Sequence, residues 1–265
     1  MEFLRQLARA PTRAWLALGL TIFLSVAHAM TPSSEIQVAV AANFANVAQT
    51  LAQSFGKTHG VRIRITQGST GKLGAQIRNG APFDVLLAAD AASVDGLESV
   101  GLAIRGSSFT YAIGRLALWS LQPDRVKDGV TVLRQGQFQH LAIATPHSAP
   151  YGAAALEVLG RVGLLETLTP KLVQGESVAQ TYGFVASGNA EIGFVAWSQI
   201  VEPGAEPRLR TGSAWLVPEP LHAPLTQNAA LLSHGATNQA ARAFLEYLRQ
   251  PEVKALIRSY GYRTP

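Results

Sequence analysis

Apolar and polar positions alternate between two periods along most of the chain. Residues 36–41 (IQVAVA) form a short apolar run of strand length. Phe44, Val47, Ala48, Leu51 and Phe55 then recur at helical spacing and share one face. Residues 61–66 alternate like a half-buried strand, 73–78 return to a helical pattern, 83–88 (FDVLLA) form a second apolar strand, and 94–100 a further helix. This β-α-β-α-β order predicts a mostly parallel sheet covered on both faces.

A second block repeats the theme. Residues 115–120 and 140–144 have strand character, and 153–162 form a helix introduced by Pro150. Residues 171–174 form a strand, 178–186 a helix and 191–195 a strand. Pro203, Pro207, Pro218, Pro220 and Pro224 then crowd a segment that cannot be one continuous element. Residues 228–232 resume as a strand, and two helices follow at 240–248 and 251–259, the second opening on Pro251. Two α/β lobes with a proline-rich return imply a chain that crosses between lobes more than once. In open α/β sheets, ligands bind beyond the carboxyl ends of strands. The positions of interest therefore include Asn43, Ser69-Thr70, Ala89-Asp90, Pro150-Tyr151, Ser177-Val178 and Ala196-Trp197.

The N-terminus changes the picture. Arg5, Arg9 and Arg13 precede the apolar run 14–26 (AWLALGLTIFLSV), which is short for a bilayer span, and Ala27-His28-Ala29 fits a small-x-small cleavage site. Residues 1–29 are therefore expected to be an export signal, with a mature chain starting near Met30. Without its three arginines and one glutamate, 19 basic and 16 acidic residues remain, a net of +3. The basic residues are scattered, which gives nucleic-acid binding little support. A weak positive field favours a small anion. The sequence contains no cysteine, so disulfides, thiolate metal sites and a cysteine nucleophile are excluded.

The stretch Gly68-Ser69-Thr70-Gly71-Lys72 invites a phosphate-loop reading, but the spacing fails. Thr66 stands where the first glycine of G-x-x-x-x-G-K-[ST] belongs, and Leu73 where the final hydroxyl belongs. No G-x-S-x-G elbow occurs. His59, His140, His147, His222 and His234 show no zinc spacing. A seat for a bare anion remains. Helix N-termini carry N–H groups without intrahelical partners, and the dipole favours negative charge there. Asn43, Ser69-Thr70, Gly152 and Ser177-Val178 each stand where a helix begins after a strand. Each could equally be a local cap. If they converge, they offer neutral donors suited to an oxyanion without a proton, provided that Asp84, Asp90 and Glu176 face away.

The stretches VAVAANFANVAQTLAQSF, GSTGKLGAQIRNGAPFDVLLAAD, ATPHSAPYGAAALEVL and GESVAQTYGFVASGNAEIGFVAWSQI resemble, in order and spacing, the periplasmic molybdate-binding proteins of ABC transporters, and YLRQPEVKALIRSYGY resembles their last helix. The resemblance covers essentially the whole chain after residue 30. It implies an α/β, type II periplasmic-binding-protein fold, with two α/β lobes around a ligand cleft joined by crossover strands. It places residues 30–112 and 217–265 in one lobe and 113–216 in the other. It implies a non-enzymatic periplasmic carrier, without cofactor, that binds molybdate or tungstate and delivers it to an inner-membrane permease as a monomer. The residues carried over are Asn43, Ser69, Thr70, Ala89, Tyr151 and Val178, the last through its backbone N–H. Some family members place a ligand-contacting tyrosine where this sequence reads Ala196-Trp197; Asn43 and Tyr151 stand to replace it. The alternatives are a carrier of another oxyanion such as sulfate, a secreted hydrolase using His147 near Tyr151, and a ligand-sensing regulatory domain.

Overall fold

The period-two pattern of the first apolar run has a direct structural cause. In the computed structural model, which describes residues 35–265, Ile36, Val38 and Val40 of β1 (Glu35–Ala41) enter one core cluster and Ala39 enters another on the opposite face of the sheet. The expected leader 1–29 and the start at Met30 lie outside the described residues.

A 3-10 turn, Ala42–Phe44, follows β1 and leads into α1 (Ala45–His59), which buries Val47, Ala48, Leu51 and Phe55 as its spacing requires. Then come β2 (Arg62–Gly68), α2 (Thr70–Arg78), β3 (Val85–Leu87), α3 (Ala92–Ser99) and β4 (Phe109–Gly114). The chain crosses into the second lobe with β5 (Leu116–Ser120), α4 (Gly129–Gln135), β6 (Leu141–Ala144), α5 (Pro150–Arg161), α6 (Leu165–Leu168), β7 (Leu172–Gly175), α7 (Val178–Ala186), β8 (Ile192–Ala196) and α8 (Trp197–Ile200). The proline-rich return holds only short pieces: β9 (Val201–Glu202), β10 (Arg208–Leu209) and β11 (Ser213–Leu216). The chain re-enters the first sheet as β12 (Leu225–Leu231) and ends in α9 (Gln239–Leu248) and α10 (Pro251–Ser259).

Two five-stranded sheets result, ordered β2-β1-β3-β12-β4 and β11-β5-β8-β6-β7. Four of the five strands in each sheet point the same way, as the β-α-β order predicts, and one strand in each, β12 or β5, is reversed. β1, β2 and β3 run parallel, whereas β12 is antiparallel to β3 and β4. β6 runs parallel to β7 and β8, whereas β5 is antiparallel to β8 and β11. β12 enters the first sheet directly from the other lobe and β5 enters the second, with no covering helix on the way to reverse their direction. Each sheet is buried on both faces: Val85 and Leu87 face one core while Leu86 faces another, and Leu141 and Ile143 oppose Ala142 in the same way. The carboxyl ends of β1, β2, β3 and β6 open toward the same gap between lobes.

Candidate functional site

All six carried-over residues line one small cavity between the lobes: Asn43, Ser69, Thr70, Ala89, Tyr151 and Val178. The other lining residues are Ala41, Ala42, Gly68, Ala149, Pro150 and Ser177, so no charged side chain is among them. The cavity is small, of about the size that holds a single water molecule, and far too small for a sugar or an amino acid.

Local structure explains each donor. Ser69 is the N-cap of α2, yet its side chain makes no capping bond. Its Oγ is buried and has no hydrogen-bond partner among the described residues. A buried hydroxyl without a partner costs stability unless something supplies one. Ser177, the N-cap of α7, behaves in the opposite way: its Oγ accepts from Gln180 N–H at 3.4 Å. The capping reading therefore holds at Ser177 and fails at Ser69. Thr70 Oγ1 accepts from Ala89 N–H at 3.0 Å, which leaves the threonine proton available and makes Ala89 a support for Thr70 rather than a donor. Val178 opens α7, so its N–H has no intrahelical acceptor.

Asn43 and Tyr151 line the cavity differently from what their side chains suggest. Asn43 Nδ2 donates to Gln227 Oε1 at 3.0 Å and to Tyr262 OH at 3.1 Å. Tyr151 OH accepts from Gln227 Nε2 at 3.3 Å and lies against Gly114. Neither Gln227 nor Gly114 lines the cavity. Asn43 sits in the 42–44 turn and Tyr151 in the first turn of α5, with both side chains bonded to Gln227. Ala196 and Trp197 do not line the cavity. Burial pushes the phenol pKa values of Tyr111, Tyr151 and Tyr262 well up, so all three remain neutral hydrogen donors.

The carboxylates are engaged elsewhere. Asp84 accepts from Gln37 N–H at 2.7 Å and pairs with His234. Asp90 accepts from Ser93 N–H at 2.6 Å and from Ser93 Oγ at 3.1 Å, at the start of α3. Glu176 meets Lys72 across the mouth of the cleft at 2.6 Å. A backbone bond from Gly71 N–H to Ser148 O at 2.9 Å joins the lobes beside it. A Cβ on Gly71 would lie 2.9 Å from Ser148 Cα, so the glycine permits this approach. His147 lines a separate hollow, outside the small cavity, and forms no hydrogen bond with a nucleophile among the described residues.

Sequence reasoning missed the polar cluster behind the cavity. Tyr262 OH donates to Asn43 O at 2.7 Å, Ser198 Oγ donates to Tyr262 OH at 2.9 Å, and Tyr111 OH donates to Gln227 Oε1 at 3.0 Å. The available signal was Gln227 itself, a polar residue at an inward position of a strand.

A family model described as bacterial extracellular solute-binding protein matches residues 36–263. The molybdate-binding protein ModA of Azotobacter vinelandii is 46% identical over 95% of this chain and 97% of its own length. That of Rhodobacter capsulatus is 46% identical over 94% of each. The solved structure of the Azotobacter vinelandii periplasmic molybdate-binding protein superposes with a TM-score of 0.83 at 39% identity, covering 87% of this chain and 99% of that one. The chain belongs to the bacterial extracellular solute-binding protein family, alongside these molybdate-binding relatives.

Proposed function

We propose that this protein captures molybdate in the periplasm and presents it to an inner-membrane ABC permease. One observation carries the reading: a small cavity between the lobes, lined by no charged side chain, holds a buried Ser69 hydroxyl that has no hydrogen-bond partner among the described residues. A fully ionised tetrahedral dianion needs donors only, and the cavity offers hydroxyls and helix-start N–H groups. The positive ends of α2, α5 and α7 compensate its charge without a salt bridge. Phosphate keeps a proton that calls for an acceptor such as a carboxylate, and none lines the cavity. The relatives named molybdate-binding support the choice of ion. Tungstate, with the same charge and shape, is taken as well.

The remaining parts of the proposal follow from the same reading. The ligand set is Asn43, Ser69, Thr70, Tyr151 and Val178, with Ala89 holding Thr70. Residues 30–112 and 217–265 form one lobe and 113–216 the other, in keeping with the passage between sheets at β4–β5 and β11–β12. The leader 1–29 directs export and is removed near Ala29, and the carrier acts as a monomer without cofactor or catalysis. Calorimetric titration of the purified protein tests the function: molybdate and tungstate bind tightly, sulfate far more weakly, and phosphate not at all. Sulfate binding as tightly as molybdate overturns the size argument, because a ring spaced for the larger ion stretches its bonds to the smaller one.

A further inference from the structure

Gln227, in β12 of the first lobe, is completely buried. Its Oε1 accepts from Asn43 Nδ2 and from Tyr111 OH, each at 3.0 Å. Two donors converging on one oxygen fix the orientation of the amide. Its Nε2 therefore points at the Tyr151 hydroxyl oxygen, 3.3 Å away. Tyr151 belongs to the other lobe, in the core cluster of β5, β6 and β8. One side chain thus holds a cavity-lining residue of each lobe from behind. Gly114 completes the contact, because a Cβ there would overlap the Tyr151 hydroxyl and stand 2.6 Å from Gln227 Nε2.

We propose that Gln227 and the Tyr151 hydroxyl form a closure joint, a positioning pair made only when the lobes meet, which sets how long the bound ion stays without touching it. The inference rests on the oxyanion reading above. A group that contacts the ion changes the preference among ions of different size. A joint that reports lobe closure alters the stability of the closed form and leaves that preference alone. It also acts mainly on release, since the contact forms after the ion has entered.

The test is Tyr151→Phe, which keeps the backbone N–H and the ring, combined with Gln227→Met in a double-mutant cycle. Stopped-flow kinetics and calorimetry with molybdate, tungstate and sulfate supply the readouts. Tyr151→Phe raises the molybdate release rate about three- to tenfold, the usual worth of one buried hydrogen bond, and leaves the association rate and the molybdate-to-sulfate ratio unchanged. In the Gln227→Met background, adding Tyr151→Phe changes nothing further. The joint is refuted if Tyr151→Phe weakens binding by the same factor in both backgrounds, or shifts the ratio between ions, since the hydroxyl then acts on the ion itself. Failure of the wild-type protein to bind molybdate would instead refute the functional reading, so the two failures are distinct. If Gln227→Met does not fold, Tyr151→Phe alone still decides through release rate and ion ratio.

Discussion

Replacing Ser69 with alanine separates a ligand from a cap. The hydroxyl is buried, sits at the N-cap of α2, and has no hydrogen-bond partner among the described residues. Its loss therefore breaks no hydrogen bond among the described residues, and the melting temperature of the ion-free variant is no lower than that of the wild type. The bond to a dianion is charge-assisted and worth about 1.5–3 kcal/mol, which weakens molybdate binding roughly ten- to a hundredfold. The same free energy disappears from the ion-induced rise in stability, lowering that rise by roughly 3–12 °C for a chain of this size. Differential scanning calorimetry with and without molybdate reads both numbers. Ser177→Ala is the control, because its Oγ does cap α7 through Gln180 N–H. That variant loses about 1 kcal/mol of stability in both states. If Ser69→Ala melts as low as Ser177→Ala without ion and binds molybdate as tightly as wild type, Ser69 is a cap and the site argument falls.

Three further outcomes are expected. Val178→Pro deletes one backbone donor at a position where proline is tolerated: it is the first residue of α7, and Ser177 before it is extended at ψ 165°. Circular dichroism should remain native while titration shows at least about a tenfold loss of affinity, and full affinity would exclude that N–H from the site. Lys72→Met removes the exposed pair with Glu176 at the cleft mouth, raising ion release about two- to fivefold at low salt and hardly at all in about 1 M salt; a salt-independent effect would refute the electrostatic account. The buried phenols of Tyr111, Tyr151 and Tyr262 titrate higher folded than unfolded, so stability is intact below the unfolded value of about 10 and falls above it, by at most about 4 kcal/mol per pH unit for three groups. Denaturant melts between pH 8 and 11 measure the slope, Tyr262→Phe should reduce it by about a third, and an unchanged slope would refute the burial account.

Much of the architecture was legible because the period of the pattern matched the period of burial. Residues 178–186 and 251–259 coincide with α7 and α10, and the runs at 36–41 and 140–144 fall on β1 and β6. β4 went unread. Its burial along Phe109–Gly114 is irregular, half-buried at Phe109, Thr110 and Ile113, and glycine and serine surround it. α4 went unread as well, being short and burying only Gly129 and Leu133. The β-α-β order gave the parallel run of β1, β2 and β3, but the reversal of β12 and β5 could not be read, since strands buried on both faces have the same apolar composition in either direction.

The site was legible at the level of which residues meet and illegible at the level of which atoms face the ion. Position after a strand is set by topology; the periodicity marked such positions, the family resemblance narrowed them to six residues, and these come from five separate segments to line one cavity. The roles within that set depend on partners 19 to 219 positions away: Ala89 for Thr70, Gln227 for Tyr151, Tyr262 for Asn43. Asparagine and tyrosine have side chains that can reach an anion, and sequence logic assigns them that task. Here both side chains bond to Gln227, which does not line the cavity. The arrangement has a physical logic. A side-chain donor can swing to follow a smaller ion, whereas an N–H fixed at a helix start cannot. Spacing the ring with helix starts gives the cavity a fixed radius, which selection by size requires, while the contacts of Gln227 behind it bear on how long the lobes stay shut.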